Sequence, residues 1–546
     1  MNTFSPILFA DLKNYSKGQL VKDIIAGIIV AIIALPLSIA LAIASGVGPE
    51  AGIYTAIVAG FVTALLGGSS VQISGPTAAF ATIVAGVVAR NGLSGLATAT
   101  IIAGVILIVM GILKLGNLIR FIPFTITTGF TAGIAITLVI GQMKDFLGVT
   151  YQNGEAPIET MEKLSALLEN ISTFNYQALI VGAVCLAILM LWPKINDKIP
   201  ASLLAVVAGI AMVSGLKMDV NTIGDLYSVT SSLPSFTLPE FSLSSVMSVL
   251  PDAFTIAILA GIESLLSCVV ADGMTGKKHR SNTELVAQGA GNICSALFGG
   301  IPATGAIART AANIKNGGRT PVSAMVHSVV LLVVLIVLMP YASLIPMPAI
   351  AAILISVAYN MSQWRQVVSL VKTSPKSDVI VLVTTLLLTV VFDLVIAIEI
   401  GIVMACILFM KRMSEETRIE SWQYVEKVDN AQGLNLRDVS KHISVYELSG
   451  PLFFAVSSQI SLIRLKPYTK CVVLRMRSVP SVDTDALRAL EDFVKKCAKK
   501  GVTVVFSHVN VQPLKAMKKS GLYSLIKKEN FAPNIDAALS RAEELK

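Results

Sequence analysis

From residue 21 to about residue 413 the chain is almost continuously apolar, broken only by short polar or Gly/Pro-rich connections. A spanning helix needs about 20 apolar residues, and runs of roughly that length recur along this region. We read about 14 membrane segments, beginning near Asp23, Ala51, Pro76, Ser94, Phe121, Phe174, Ile199, Pro251, Thr283, Thr304, Pro321, Pro348, Asp378 and Leu394. The third and tenth are the short ones. With 54% hydrophobic and 14% charged residues, the chain falls far below the charge content of a soluble domain, about 25%. Its partner is therefore the lipid bilayer.

The formal charge of +9 does not point to nucleic acid, because the cations sit in short connections and in the last third of the chain. With a cytoplasmic N-terminus, one set of connections holds Lys114 and Arg120; Lys194 and Lys198; Lys277, Lys278 and Arg280; Lys315 and Arg319; Arg365, Lys372 and Lys376. The two long connections on the other side, about 144–173 and 217–250, are poor in Lys and Arg. That asymmetry predicts an even number of spans with both ends inside, in the cell's inner (plasma) membrane. The first apolar run is too long for a signal peptide and reads as the first span. Six scattered cysteines without CxxC spacing imply neither disulfides nor a zinc site.

Two segments carry Gly and Pro where a continuous helix would not want them. Gly67-Gly68 through Gly75-Pro76-Thr77 precedes the third segment, and Gly299-Gly300 through Pro302-Ala-Thr304-Gly305 precedes the tenth. They lie an odd number of spans apart, so the two copies would be inverted. Paired, interrupted segments in two halves point to a binding site near the midplane. If both half-helices begin there, their N-termini aim N–H groups and positive dipole ends into one cavity, which selects an anion. Gly75 and Gly305 would allow close backbone approach. Pro76, Ala78 and Ala306 flank the two starts, Thr77 and Thr304 add hydroxyls, and Phe80 supplies an apolar wall or simply packs.

Two ionisable groups lie at membrane depth, where each is a functional candidate by default. Glu263, in Gly261-Ile-Glu263-Ser-Leu-Leu-Ser267, can load and release a proton as access alternates; the alternative is a static hydrogen bond to freed backbone. Ser267 lies one helical turn on, on the same face. Arg309 has three open roles: pairing with Glu263, raising the local potential for an anion, or snorkelling toward the cytosol. Asp393 reads as a tight turn between the last two spans, and Glu399 as structural. No His, Cys or carboxylate set has ligand spacing, so no cofactor or metal is expected.

After Met413 the composition becomes charged. Residues 414–440 read as a linker with a short polar helix, and 441–546 as a small α/β domain. Its strands are expected at Ile443-Ser-Val-Tyr-Glu-Leu, at Lys470-Cys-Val-Val-Leu-Arg-Met and at Val502-Thr-Val-Val-Phe-Ser, with helices over Thr484 to Lys499 and Val511 to Ser520.

These motifs together resemble the SulP (sulfate permease) anion transporters with a C-terminal STAS domain. The residues that carry the resemblance are Ala34-Leu-Pro36-Leu-Ser38-Ile-Ala, Gly48-Pro-Glu-Ala-Gly52-Ile-Tyr54-Thr, Gln72-Ile-Ser-Gly75-Pro76-Thr77, Glu263 through Asp272, Ser281-Asn282-Thr-Glu284-Leu-Val-Ala-Gln288-Gly289, and Pro302 through Arg309 with Asn313. The resemblance implies a polytopic α-helical membrane protein of 14 segments in two inverted seven-segment repeats, about 21–216 and 251–413. These would form core and gate domains within residues 1–413, moving as an elevator, with the C-terminal α/β STAS domain in the cytoplasm and the protein a homodimer. Substrate would lie between the N-termini of the third and tenth segments. The sodium-dependent bicarbonate carriers of the family have aspartate and threonine where this chain has Glu263 and Ser267; the longer carboxylate and smaller hydroxyl favour proton coupling over sodium. Soluble STAS relatives carry a phosphorylatable serine where this chain has Asp485, so Thr484 is the remaining regulatory acceptor, and the domain is a place for a cytosolic regulatory protein.

The reading that follows is a secondary active transporter of an inorganic anion, sulfate first, with bicarbonate and C4-dicarboxylates as alternatives. Nucleobase carriers resemble this fold but place a second carboxylate in the tenth segment. An anion channel and a membrane-anchored sensor are the other classes. No nucleophile–base constellation supports an enzyme.

Overall fold

The computed structural model describes residues 5–117, 123–151, 157–196, 199–239, 242–392, 394–421, 439–456, 459–460, 463 and 465–546. Arg120, Lys198 and Asp393 lie outside the described residues, as does most of the stretch expected to be a linker.

The first half contains helices Lys17–Ala44 (α1), Pro49–Leu66 (α2), Ala78–Ile112 (α3), Phe124–Leu147 (α4), Tyr176–Ile195 (α5) and Ala201–Leu216 (α6). The second contains Leu243–Thr275 (α7), Ser281–Leu297 (α8), Ile307–Lys315 (α9), Val322–Ala342 (α10), Met347–Ser362 (α11), the amphipathic Trp364–Thr373 (α12), Lys376–Val391 (α13) and Leu394–Glu416 (α14). Seven helices among the described residues are long and apolar enough to cross a bilayer. At 1.5 Å per residue α3 is about 50 Å long, too long for one crossing. It breaks at Gly92, whose φ of 68° is left-handed, so it supplies the third and fourth segments. Counted this way, the described residues contain helices at all the expected segments, seven in each half.

By their packing the helices form two groups. α1–α3 pack with α7–α10, and α4–α6 pack with α11 and α13. This is the core-and-gate division that the family resemblance implies. Glycines let the first group close up. A Cβ on Gly104 would stand 2.6 Å from the Gly289 carbonyl oxygen, and one on Gly289 would overlap the Gly104 carbonyl. α3 and α8 therefore touch backbone to backbone. Gly104→Val should open this crossing. Overpacking costs about 1–3 kcal/mol, and a lower unfolding temperature and poorer monodispersity in detergent would register it.

The chain contains a second compact unit, from Val403 to Lys546. Its sheet has strands Arg418–Ser421 (β3), Ile443–Ser449 (β4), Cys471–Ser478 (β5), Thr503–Ser507 (β6) and Phe531–Ala532 (β7), in that order. β3 is antiparallel to β4 and the rest are parallel. Helices Thr484–Lys499 (α15) and Val511–Ser520 (α16) cover one face, and Ile535–Glu544 (α17) covers the other. The three expected strands and two expected helices fall where the residue pattern places them; β3, which lies within the stretch expected to be linker, β7 and α17 are additions. Burial pushes the thiols of Cys471 and Cys497 up to about 12 and about 11, so both are unreactive core residues.

Candidate functional site

Two short strands, Ser74–Gly75 (β1) and Thr304–Gly305 (β2), pair antiparallel, Ser74 opposite Gly305 and Gly75 opposite Thr304. Each strand leads directly into a helix, β1 into α3 at Ala78 and β2 into α9 at Ile307. The two helix starts thus lie within three residues of one crossing. Gly and Pro make the crossing possible: they stop α2 and α8 short and leave extended backbone where helix would otherwise continue. The leading N–H groups of each helix lack intrahelical acceptors. Ala78 and Ala306 are buried, while Ile307 and Ala308 are exposed at the start of α9.

Glu263 reaches this crossing from α7. The Thr77 hydroxyl, at the N-cap of α3, donates to Glu263 Oε2 at 2.9 Å. The carboxylate is therefore joined to the residue that opens a half-helix, and the static contact to freed backbone expected as the alternative is not the one made. Ser267 lies on α7 one turn on, but its hydroxyl donates to Thr310 Oγ1 on α9 at 3.3 Å. Thr310 Oγ1 also takes the Ile73 N–H at 3.0 Å. Ser267 thus braces α9 and its hydroxyl is turned to that contact. Ser264, not singled out in the sequence, accepts the Gly305 N–H at 3.0 Å and shares a 2.7 Å hydrogen bond with the Thr304 hydroxyl. The Thr304 hydroxyl further donates to the Ala260 carbonyl at 3.1 Å. Its hydroxyl and the Gly305 N–H are thereby spent on α7.

Arg309 is 2% exposed, so it does not snorkel. Its Nη2 donates to the Pro76 carbonyl across the crossing, and it forms no ion pair with Glu263. Its Nε and Nη1, like both ring nitrogens of the buried His327, have no partner among the described residues. Buried donors of this kind call for water or an anion as acceptor. The two glycines act differently from the expectation that they open backbone to a ligand. A Cβ on Gly75 would stand 2.6 Å from Arg309 Nη1, and one on Gly305 would overlap the Gln72 amide. The space each glycine leaves is filled by a side chain of the protein. Phe80 is 1% exposed and packs among Ile83, Val84, Phe130 and Ile301; it belongs to the core and not to a cavity wall.

Glu399 is exposed on α14. Among the described residues no group of three His, Cys, Asp or Glu could hold a metal. In the second unit, Asp483 caps α15 by accepting the Ala486 N–H at 2.8 Å, which leaves Thr484 and Asp485 exposed in the first turn.

Residues 20–385 match the sulfate permease family and residues 437–538 match the STAS domain. The chain is 39% identical over 531 residues to a Bacillus subtilis protein named "Putative sulfate transporter YvdB", covering 96% of this chain and 98% of that one. It is 33% identical to the bicarbonate transporter BicA of Picosynechococcus, covering 96% and 94%. The murine anion transporter Slc26a9, solved in an inward-facing state, superposes with a TM-score of 0.89 at 18% identity, covering 99% of this chain and 94% of that one. The transmembrane domain of a cyanobacterial BicA superposes with a TM-score of 0.63 at 31% identity, covering 72% and 98%.

Proposed function

The chain belongs to the sulfate permease family and is a multi-pass membrane anion transporter, not an enzyme; on that premise we propose that it is a proton-coupled secondary carrier of sulfate. The observation that carries this reading is the 2.9 Å bond from Thr77 to Glu263. It ties a carboxylate at the crossing to the N-cap of a helix whose free N–H groups suit an anion. A change in the proton occupancy of Glu263 alters the acceptor that orients Thr77, so proton and anion are linked through one hydroxyl. The longer carboxylate of Glu263 and the smaller hydroxyl of Ser267, set against the aspartate and threonine of the family's sodium-dependent bicarbonate carriers, favour proton over sodium.

Thr77, Glu263, Thr304 and Arg309 all sit on helices of the first group or on the strands between them. An anion held there travels with that group as it moves against the other, which is an elevator. The protein works as a homodimer in the inner membrane with both termini and the STAS domain in the cytoplasm. Exposed Thr484 and Asp485 offer that domain's contact for a cytosolic regulator. Bicarbonate is the second reading, favoured by the identity to BicA over nearly the full chain. Purified protein in liposomes, given sulfate, bicarbonate and succinate under imposed pH and sodium gradients, separates the two. Accumulation of sulfate driven by an inward proton gradient is expected; sodium-driven bicarbonate uptake without sulfate uptake would replace the reading.

Arg309→Ala should weaken sulfate uptake about tenfold or more, because a charge-assisted hydrogen bond contributes about 1.5–3 kcal/mol. Arg309→Lys should lose less, since it keeps the charge but not the fork. Equal uptake by both variants and wild type would remove Arg309 from the site.

A further inference from the structure

The carrier reading gives no role to Glu284, a second carboxylate, on α8 and 1% exposed. Both of its carboxylate oxygens accept hydrogen bonds. Oε2 takes the Gly68 N–H at 2.8 Å, and Oε1 takes Gln72 Nε2 at 2.8 Å and Gln288 Nε2 at 3.0 Å. Gln288 Nε2 also donates to Ser74 Oγ at 2.7 Å. Glu284 therefore reaches the segment between α2 and α3 at three points: the backbone at Gly68, the side chain of Gln72 and, through Gln288, Ser74 in β1. That segment contains no helix of its own, and side chains from neighbouring helices determine where it runs. Gln72 in turn receives the Cys268 thiol on Oε1 at 3.0 Å and lies against Gly305 in β2.

We infer that Glu284 is a positioning residue for the anion site: by holding Gly68, Gln72 and Ser74 it sets the depth of β1, and through Gln72 that of β2, and so the aim of both helix N-termini. The inference rests on the reading of the crossing as the anion site. Its chemical requirement is an acceptor at position 284 facing donors at 68, 72 and 288. Glu284→Gln keeps the volume but turns an amide NH₂ toward one of those donors. The swap Glu284→Gln with Gln72→Glu restores the complement, since the amide oxygen can accept from Gly68 while its nitrogen donates to the new carboxylate and to Gln288, whose amide turns over to present the oxygen that otherwise has no partner among the described residues.

Two measurements on the purified full chain test this. Hydrogen–deuterium exchange over residues 67–77 reads the clamp whichever anion is carried. Uptake of radiolabelled sulfate into liposomes reads its consequence. Glu284→Gln should speed exchange in 67–77 about tenfold and raise the apparent KM for sulfate about tenfold, with the maximal rate within about threefold of wild type, in line with the loss of a charged hydrogen-bond partner. The swap should recover most of both. Unchanged exchange in Glu284→Gln, or a swap that recovers neither quantity, overturns the inference. So does a lowered KM in Glu284→Gln, which would make Glu284 a repelling charge and not a clamp. A wild type that carries bicarbonate and not sulfate would revise the substrate, while the exchange result still decides the clamp.

Discussion

Glu263→Gln is expected to reduce the accumulation of sulfate under an inward proton gradient to equilibration, an inside-to-outside ratio of about 1. Exchange of external for internal anion should persist within about tenfold of wild type. The two outcomes differ because the amide preserves the shape and can still accept from Thr77, whose hydroxyl meets the carboxylate at 2.9 Å. The crossing stays closed and the helix N-termini stay aimed. What the amide cannot do is take up and release a proton, so the free energy of the gradient no longer reaches the anion. Counterflow and gradient-driven uptake in the same liposomes separate the two quantities. A variant that still concentrates sulfate would show that coupling resides elsewhere. Thr77→Val should reproduce part of the defect, since it removes the donor and keeps the branched shape.

The second large effect is expected at the paired glycines, through eviction of a buried polar side chain. In Gly75→Val the new Cβ lies 2.6 Å from Arg309 Nη1, and Ala56 closes the other side at 3.6 Å. The guanidinium must leave the Pro76 carbonyl. In Gly305→Val the Gln72 amide must leave, and with it one donor to Glu284. Each loss should weaken sulfate binding at least tenfold, at about 1.5–3 kcal/mol for a hydrogen bond to a charged group. The mechanism has a signature in the double variant. Gly75→Val should cost little more once Arg309 is already alanine, because both changes remove the same contact. Additive losses in binding to detergent-purified protein would return the effect to direct blocking of the ligand by the valine.

Much of this architecture is legible in the residue pattern. The spans announce themselves because lipid demands apolar side chains over a set length. The soluble strands and helices show because one buried face imposes a period of 2 or 3.6. Gly75-Pro76 and Thr304-Gly305 stand out because helix-breaking residues at membrane depth need a purpose, and Glu263 and Arg309 because charge there does too. The match of family residues adds the expected pairing of the two halves and the expected place of an anion between them.

Partner choice inside the crossing is beyond the sequence. Ser264 and Ser267 are both α7 serines close to Glu263, and spacing favours Ser267 as its neighbour. Yet the 100° turn per residue and the position of β2 direct Ser264 to Thr304 and Gly305, and Ser267 to Thr310. Arg309 is recognisable as costly, but its choice of the Pro76 carbonyl depends on Gly75 having no side chain, a fact about two strands 230 positions apart meeting in space. Nothing local marks Glu284 as a clamp, because Gly68 and Gln72, the two donors it holds in the segment before α3, lie more than 200 residues away. Local sequence determines which groups must avoid lipid and where the chain must break; only the tertiary fold decides which hydrogen-bond partner each of those groups finds, because the partners lie on other elements, in the other half of the chain for Glu263, Glu284 and Arg309.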